Sequence, residues 1–179
     1  VVKLTRNKLT QIFVSTLVVA LVFAAGCSQS PTSNLDQPTE PRVLQRSLPS
    51  GSAQLGSANL SVAETISAEK GGVLTCLDVI LEVPPGAVDT ASLFSIDIPD
   101  INVFFNEFGT HGMVFNVPVK VTMSYRDADL SGIDEKTIRI AWLNETSGEL
   151  EDMECEVDFV NKTVTGYLDH FSAYGLISD

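Results

Sequence analysis

Val117-Pro118-Val119-Lys120-Val121-Thr122-Met123-Ser124-Tyr125-Arg126 alternates apolar and polar side chains without a break. Successive Cβ atoms leave a strand on opposite sides, so a period of two marks a strand with one buried face and one wetted face. Val117, Val119, Val121, Met123 and Tyr125 are expected to face a core, and Pro118, Lys120, Thr122, Ser124 and Arg126 to face solvent. No other stretch of the chain carries so long an amphipathic strand pattern.

The same period recurs on both sides of it. Leu77, Val79, Leu81 and Val83 alternate with Asp78, Ile80 and Glu82; Phe94, Ile96 and Ile98 alternate with Ser95 and Asp97. Ile138, Ile140 and Trp142 alternate with Arg139 and Ala141, and Val164, Tyr167-Leu168, Tyr174 and Leu176-Ile177 supply the last strands. Turn residues punctuate these runs at Gly71-Gly72, Pro84-Pro85-Gly86, Pro99-Asp100, Ser131-Gly132, Ser147-Gly148 and Asn161-Lys162. Short strands with such breaks predict an all-β, antiparallel β-sandwich over residues 61–179, and no helical pattern exceeds about two turns. A domain of this length buries roughly two-thirds of its unfolded surface, enough for one core. Gly71-Gly72 is expected to turn a hairpin, and Pro84-Pro85-Gly86 to end a strand by removing backbone donors.

The order of these pieces is recognisable. Ile66-Ser67-Ala68-Glu69-Lys70-Gly71-Gly72-Val73 is followed by Leu81-Glu82-Val83-Pro84-Pro85-Gly86-Ala87-Val88 and by Phe108-Gly109-Thr110-His111-Gly112-Met113-Val114-Phe115. Pro118-Val119, Thr146-Ser147-Gly148 and His170-Phe171-Ser172-Ala173-Tyr174 complete the series. Over residues 62–178 it resembles the ZU-five domain, the β-sandwich of ankyrins, zonula occludens proteins and netrin receptors, and more closely its bacterial lipoprotein relatives. Thr110 stands where relatives often have Pro, and Leu150 where they often have Trp. The resemblance implies protein binding or spacing without catalysis or cofactor.

Charge divides the chain into three zones. Of 179 residues, 11 are basic and 23 acidic, for a net charge of −12. Residues 1–26 carry +3 from Lys3, Arg6 and Lys8, residues 27–60 are neutral, and residues 61–179 hold 6 basic and 21 acidic residues, net −15. That balance argues against nucleic acid as a partner, because affinity there comes from neutralised phosphates. It also argues against the domain lying on anionic lipid.

The basic first zone precedes an apolar run, Ile12 to Ala25, which is shorter than a membrane span and has the length of a signal-peptide core. Ala24-Ala25-Gly26-Cys27 resembles the lipobox of bacterial lipoproteins. That resemblance implies signal cleavage between Gly26 and Cys27, acylation (palmitate-type chains) of Cys27, and anchoring of the protein to the membrane through that lipid. An ordinary signal peptide or an uncleaved anchor is the alternative. Ser28 after the cysteine, in place of the Asp that implies inner-membrane retention, points to the outer membrane if the source is Gram-negative. Residues 27–60, rich in Ser, Pro, Gln, Asn and Gly, read as a disordered, flexible tether, with docking of Arg42-Val43-Leu44-Gln45-Arg46, as a short helix, the lesser reading.

Four features are candidate sites. In some animal ZU-five proteins a triplet like His170-Phe171-Ser172 self-cleaves between Phe and Ser; by resemblance the Ser172 hydroxyl would attack the Phe171 carbonyl with His170 as base, and the alternative is a structural triplet with Phe171 in the core. Asp127, Asp129 and Ser131, followed by Gly132, match the start of a calcium loop, but Ile138 occupies the place of the bidentate Glu, so an acidic turn is the stronger reading and no metal is assigned. The acidic stretch Glu145 to Asp158 is either a docking surface for a basic, unidentified protein partner or a solvating strand edge. Once Cys27 is acylated, Cys76 and Cys155 remain, either as a disulfide in an oxidising compartment or as two buried thiols. A sugar-binding sandwich would need exposed aromatics, and Trp142 and Tyr125 both fall on the inward period.

Overall fold

The computed structural model describes residues 40–47 and 59–179. Among them are twelve strands and one short 3-10 turn, Glu135–Thr137. The strands are β1 (Arg42–Val43), β2 (Leu60–Ile66), β3 (Gly72–Cys76), β4 (Val79–Val83), β5 (Ser92–Ile98) and β6 (Phe105–Gly109). They continue with β7 (Val114–Ser124), β8 (Arg139–Asn144), β9 (Glu149–Asp152), β10 (Cys155–Asp158), β11 (Thr163–His170) and β12 (Ala173–Ser178).

Two antiparallel sheets result. One runs β2-β5-β6-β12-β8-β9, with β1 added beside β12; the other runs β10-β11-β7-β4-β3. The expected all-β sandwich is what these residues build. Phe94, Ile96 and Ile98 of β5 are each fully buried, as are Val119, Val121 and Met123 of β7 and the Tyr125 that follows it. β12 is buried at every residue because it is central in the larger sheet, with neighbours on both edges.

Three local expectations are corrected. Leu77 faces solvent: it occupies the tight turn between β3 and β4 with φ 51°, so the alternation begins only at Val79. Val117 is also exposed. Pairing of β11 with β7 jumps from Leu168↔Val119 to His170↔Val114, and Pro118, which has no N–H to donate, sits inside that irregularity. Gly71-Gly72 does not turn a ladder hairpin, since β2 pairs with β5 and β3 with β4; it carries the chain from one sheet to the other. Gly71 is required there: its φ is +66°, and a Cβ would stand 2.1 Å from the Val83 carbonyl oxygen.

The largest departure is in the expected tether, where Arg42 to Ser47 pack onto the sandwich as an extended arm. Arg42 and Val43 pair with Ser178 and Ile177 of β12. A strand has two edges, and β8 occupies the other one, so β1 continues the lane that β6 leaves at Gly175. The Leu44 N–H donates to the Leu176 carbonyl at 2.8 Å, and the Leu44 carbonyl accepts from Phe104 N–H at 3.0 Å. Leu44 itself is buried in the core. The docked form is a strand and not a helix because β12 offers an unpaired ladder edge at that point.

Candidate functional site

The arm ends in a buried arginine. Arg46 directs a two-pronged contact at Asp78, with Nη2 2.8 Å from Oδ1 and Nε 3.2 Å from Oδ2. Its Nη1 donates to the carbonyls of Ile101 at 2.9 Å and Val103 at 2.5 Å, and its guanidinium lies 4.2 Å from the centre of the Phe104 ring. Asp78 sits in the β3–β4 turn of the smaller sheet, whereas Ile101, Val103 and Phe104 belong to the β5–β6 connection of the larger one. One side chain therefore ties both sheets together at this end of the sandwich. Burial holds the Asp78 carboxyl above its ordinary pKa, and the Arg46 charge offsets part of that rise.

The loop that matches the start of a calcium motif serves the same arm. The Asp127 carbonyl accepts from Ser47 N–H at 2.7 Å, Asp129 N–H donates to the Gln45 carbonyl at 2.9 Å, and Arg42 Nη2 donates to the Gly132 carbonyl at 3.3 Å. The Asp129 carboxylate accepts from its own loop, from Ser131 N–H at 3.0 Å, and that bonding lowers its pKa. Among the described residues no group of three or more His, Cys, Asp or Glu side chains converges as metal ligands. The loop acts as a sill for the arm.

His170, Phe171 and Ser172 lie where the chain leaves β11 and enters β12 in the other sheet. Phe171 is buried at the centre of an aromatic cluster, edge-on to Phe94 at 5.3 Å and to Phe115 at 4.8 Å. Its N–H donates to the Met113 carbonyl at 2.8 Å and its carbonyl accepts from Gly112 N–H at 3.2 Å. The Ser172 hydroxyl donates to the Leu143 carbonyl at 3.3 Å, and the His170 ring packs edge-on against Trp142 at 5.2 Å. Among the described residues no side-chain base accepts from Ser172 Oγ. The His170 carbonyl accepts from the Tyr174 hydroxyl at 2.8 Å, which pins the crossover from the far side.

Cys76 and Cys155 are free thiols on β3 and β10, the two opposite edge strands of the smaller sheet. Four strand spacings separate them, about 19 Å at about 4.8 Å each, against a limit near 7 Å for a disulfide. The disulfide is therefore corrected to two separate thiols. Burial pushes both thiol pKa values up, with Asp78 and Asp97 adding to the effect at Cys76.

The acidic stretch forms a structural unit. β9 is an edge of the larger sheet and β10 an edge of the smaller one, so the chain from Glu149 to Asp158 closes one whole side of the sandwich. Glu149, Glu151, Asp152, Glu154 and Glu156 are all exposed there. Round the corner, on the outer face of the smaller sheet, Tyr167 is 63% exposed. It borders a groove of about 510 Å³ that Met153, Glu154, Glu156, Thr165 and Asp169 line with it. A second groove of about 550 Å³, more apolar, runs from its other side over Val73, Pro84, Val117 and Pro118.

No family model matches the chain, and no curated protein matches it either. The site is thus read from its geometry. Gly26 and Cys27, the expected cleavage and lipidation residues, lie outside the described residues, as does the expected signal peptide 1–26. Docking of Arg42 to Arg46 was the lesser reading and Asp78 was not named as its partner, because the partnership spans 32 positions and leaves no local pattern. Tyr167 had a signal: it alternates with the inward Gly166 and Leu168, so its phase alone places it outward.

Proposed function

We propose that the protein is a non-enzymatic, lipid-anchored component of a bacterial cell envelope, whose acidic β-sandwich serves protein interaction or spacing. The observation that carries this reading is the side of the sandwich formed by β9 and β10. Two neighbouring edge strands present a row of carboxylates, and among the described residues Asp152 alone of Glu149, Glu151, Asp152, Glu154 and Glu156 has an ion-pair partner, Arg139. Such a surface steers and selects a cationic protein partner while resisting edge-to-edge pairing between copies.

Anchoring is supported by Ala24-Ala25-Gly26-Cys27, and several acyl chains on Cys27 would hold the protein stably, at about 0.8 kcal/mol per buried methylene. Residues 28–39 separate Cys27 from the exposed Glu40 that opens the arm. Twelve residues reach at most about 40 Å when fully extended. The resemblance to ZU-five domains supports the interaction role and remains a resemblance.

Photo-crosslinking and affinity capture from intact cells, with the lipidated protein, test the reading. A partner captured by the wild type is expected to be lost when Glu149, Glu151, Glu154 and Glu156 are changed to Lys. Equal recovery by both proteins would contradict it.

A further inference from the structure

The cleft that holds the arm is built wholly by the body of the sandwich. Asp78 and the carbonyls of Ile101 and Val103 form an arginine subsite, closed on one side by the Phe104 ring. The core cluster that includes Phe104 and Leu176 buries the leucine, and β12 at Ile177 and Ser178 supplies a ladder edge. We propose that this cleft is a recognition site for an extended segment of a partner protein that carries an aliphatic residue and, two positions on, an arginine, and that Arg42–Ser47 fills it in cis as a built-in competitor.

Selectivity follows from the acceptor geometry. Nε and Nη2 engage one carboxylate while Nη1 reaches two carbonyls in another direction. Only a planar guanidinium offers donors in that fork; a lysine ammonium reaches one part of it at a time. Charge favours a cationic segment as well, since residues 61–179 carry −15.

Exchange requires release of a short but well-held segment. Its ladder is two residues long and Leu44 and Arg46 are its only buried side chains. Five further backbone hydrogen bonds, the Asp78 pair and the two carbonyl bonds of Arg46 also hold it, so a displacing segment must reproduce these same contacts. None of the recognition groups belongs to the arm. A covalently attached occupant has an effective concentration in the millimolar range, so a partner must add contacts elsewhere to displace it. The acidic side is one such place. This inference deepens the interaction reading and rests on it, but its test involves neither lipid nor the β9–β10 surface.

The probe is a fluorescent peptide of residues 40–47, Glu-Pro-Arg-Val-Leu-Gln-Arg-Ser, followed by anisotropy with the full chain. The Leu44→Ala, Arg46→Ala double variant, its cleft vacated, is expected to bind the peptide saturably at concentrations where the wild type does not. A peptide with lysine replacing the second arginine should bind about tenfold more weakly. A double variant that melts cooperatively yet treats the peptide like its scrambled control overturns the proposal.

Should the double variant fail to fold, Gln45→Cys with Val103→Cys provides a second route, since Gln45 and Val103 are bridge partners. Oxidation then locks the arm in place. Millimolar peptide is expected to bind the reduced form and not the oxidised one, and equal binding to both overturns the proposal. Disulfides between chains in place of those within a chain overturn it too, by putting a second copy's arm in the cleft.

Discussion

Arg46 and Asp78 lie 2.8 Å apart, Nη2 to Oδ1, although one belongs to the N-terminal arm and the other to a hairpin turn in the opposite sheet. The pair is nearly dry, with side-chain exposures of 3% and 14%. Breaking such a pair from one side strands a charge in a low-dielectric site, which costs more than the intact pair contributes. Arg46→Ala is expected to lower unfolding stability by about 3 kcal/mol. Arg46→Lys should recover less than half of that, because it cannot reach Asp78 and both carbonyls together. Urea denaturation of the variants beside wild type measures it, and a loss within about 0.5 kcal/mol, typical of a surface substitution, would mean the arm is not held as described.

Leu44 adds the apolar part of the same anchorage. It is fully buried in the core cluster that includes Phe104 and Leu176, to which its backbone also bonds. Truncating such a residue costs about 2–5 kcal/mol in transfer and cavity terms, with the lower end expected here because the arm can simply detach. The expected signature of Leu44→Ala is selective: protease cutting within residues 40–47 precedes global unfolding, while the near-UV signal of the aromatic core persists. Simultaneous loss of both would contradict local detachment.

Much of this architecture was legible from periodicity. Phe94, Ile96 and Ile98, like Val119, Val121, Met123 and Tyr125, fall inward as their alternation requires, because a half-buried strand leaves that imprint whatever it pairs with. Leu77 and Val117 broke the rule where pairing itself is interrupted, at a turn and at a bulge beside a proline. Docking of Arg42 to Arg46 was only the lesser reading, and as a helix, for a different reason. A two-residue ladder, one leucine and one arginine make no period, and the stretch around them has the composition of a linker. Its contacts reach Asp78, Phe104, Asp127 and Ser178, all remote in sequence. The separation of Cys76 from Cys155 was hidden likewise, since it depends on strand order in a sheet and not on spacing along the chain.

Gly71 and Gly132 give a controlled comparison. Both have φ near +70°, but a Cβ on Gly71 would meet the Val83 oxygen at 2.1 Å, whereas one on Gly132 would meet nothing within 4 Å. Gly132→Ala is expected to cost only the left-handed backbone penalty of about 1 kcal/mol. Gly71→Ala adds a clash with fixed backbone and should cost at least about 3 kcal/mol. Equal melting temperatures for the two variants would refute the assigned role of the Gly71 turn in joining the sheets.

Acid should weaken the fold through Glu135. Lys162 Nζ and the Tyr125 hydroxyl, 2.8 Å away, both donate to its carboxylate and hold its pKa below the ordinary 4.5. A carboxyl depressed in the folded state contributes fully above its unfolded value, and the contribution fades as pH falls through the folded value. Asp100, Asp129 and Asp158 shift the same way through bonds within their turns. Asp78, raised by burial, works in the opposite direction over the same range. The melting temperature is therefore expected to drop below about pH 4.5, and Glu135→Gln should flatten that drop. An identical pH profile in the variant would remove Glu135 from the explanation.

The two thiols should be counted separately. Cys76 is buried and Cys155 half-buried, and burial suppresses the thiolate of each. Under non-reducing denaturation both are expected to react with an alkylating reagent. In the native protein Cys155 should react slowly and Cys76 only on unfolding. A denatured protein that takes up reagent at neither position would restore the disulfide.

The central claim, a sandwich carried on a lipidated Cys27, is tested most directly by intact mass spectrometry of the protein extracted from the membranes of its own cells. The account predicts a chain that begins at Cys27, lacks residues 1–26, and carries acyl mass on the thiol and the new amine. A chain that retains residues 1–26, or begins elsewhere without lipid, would contradict it.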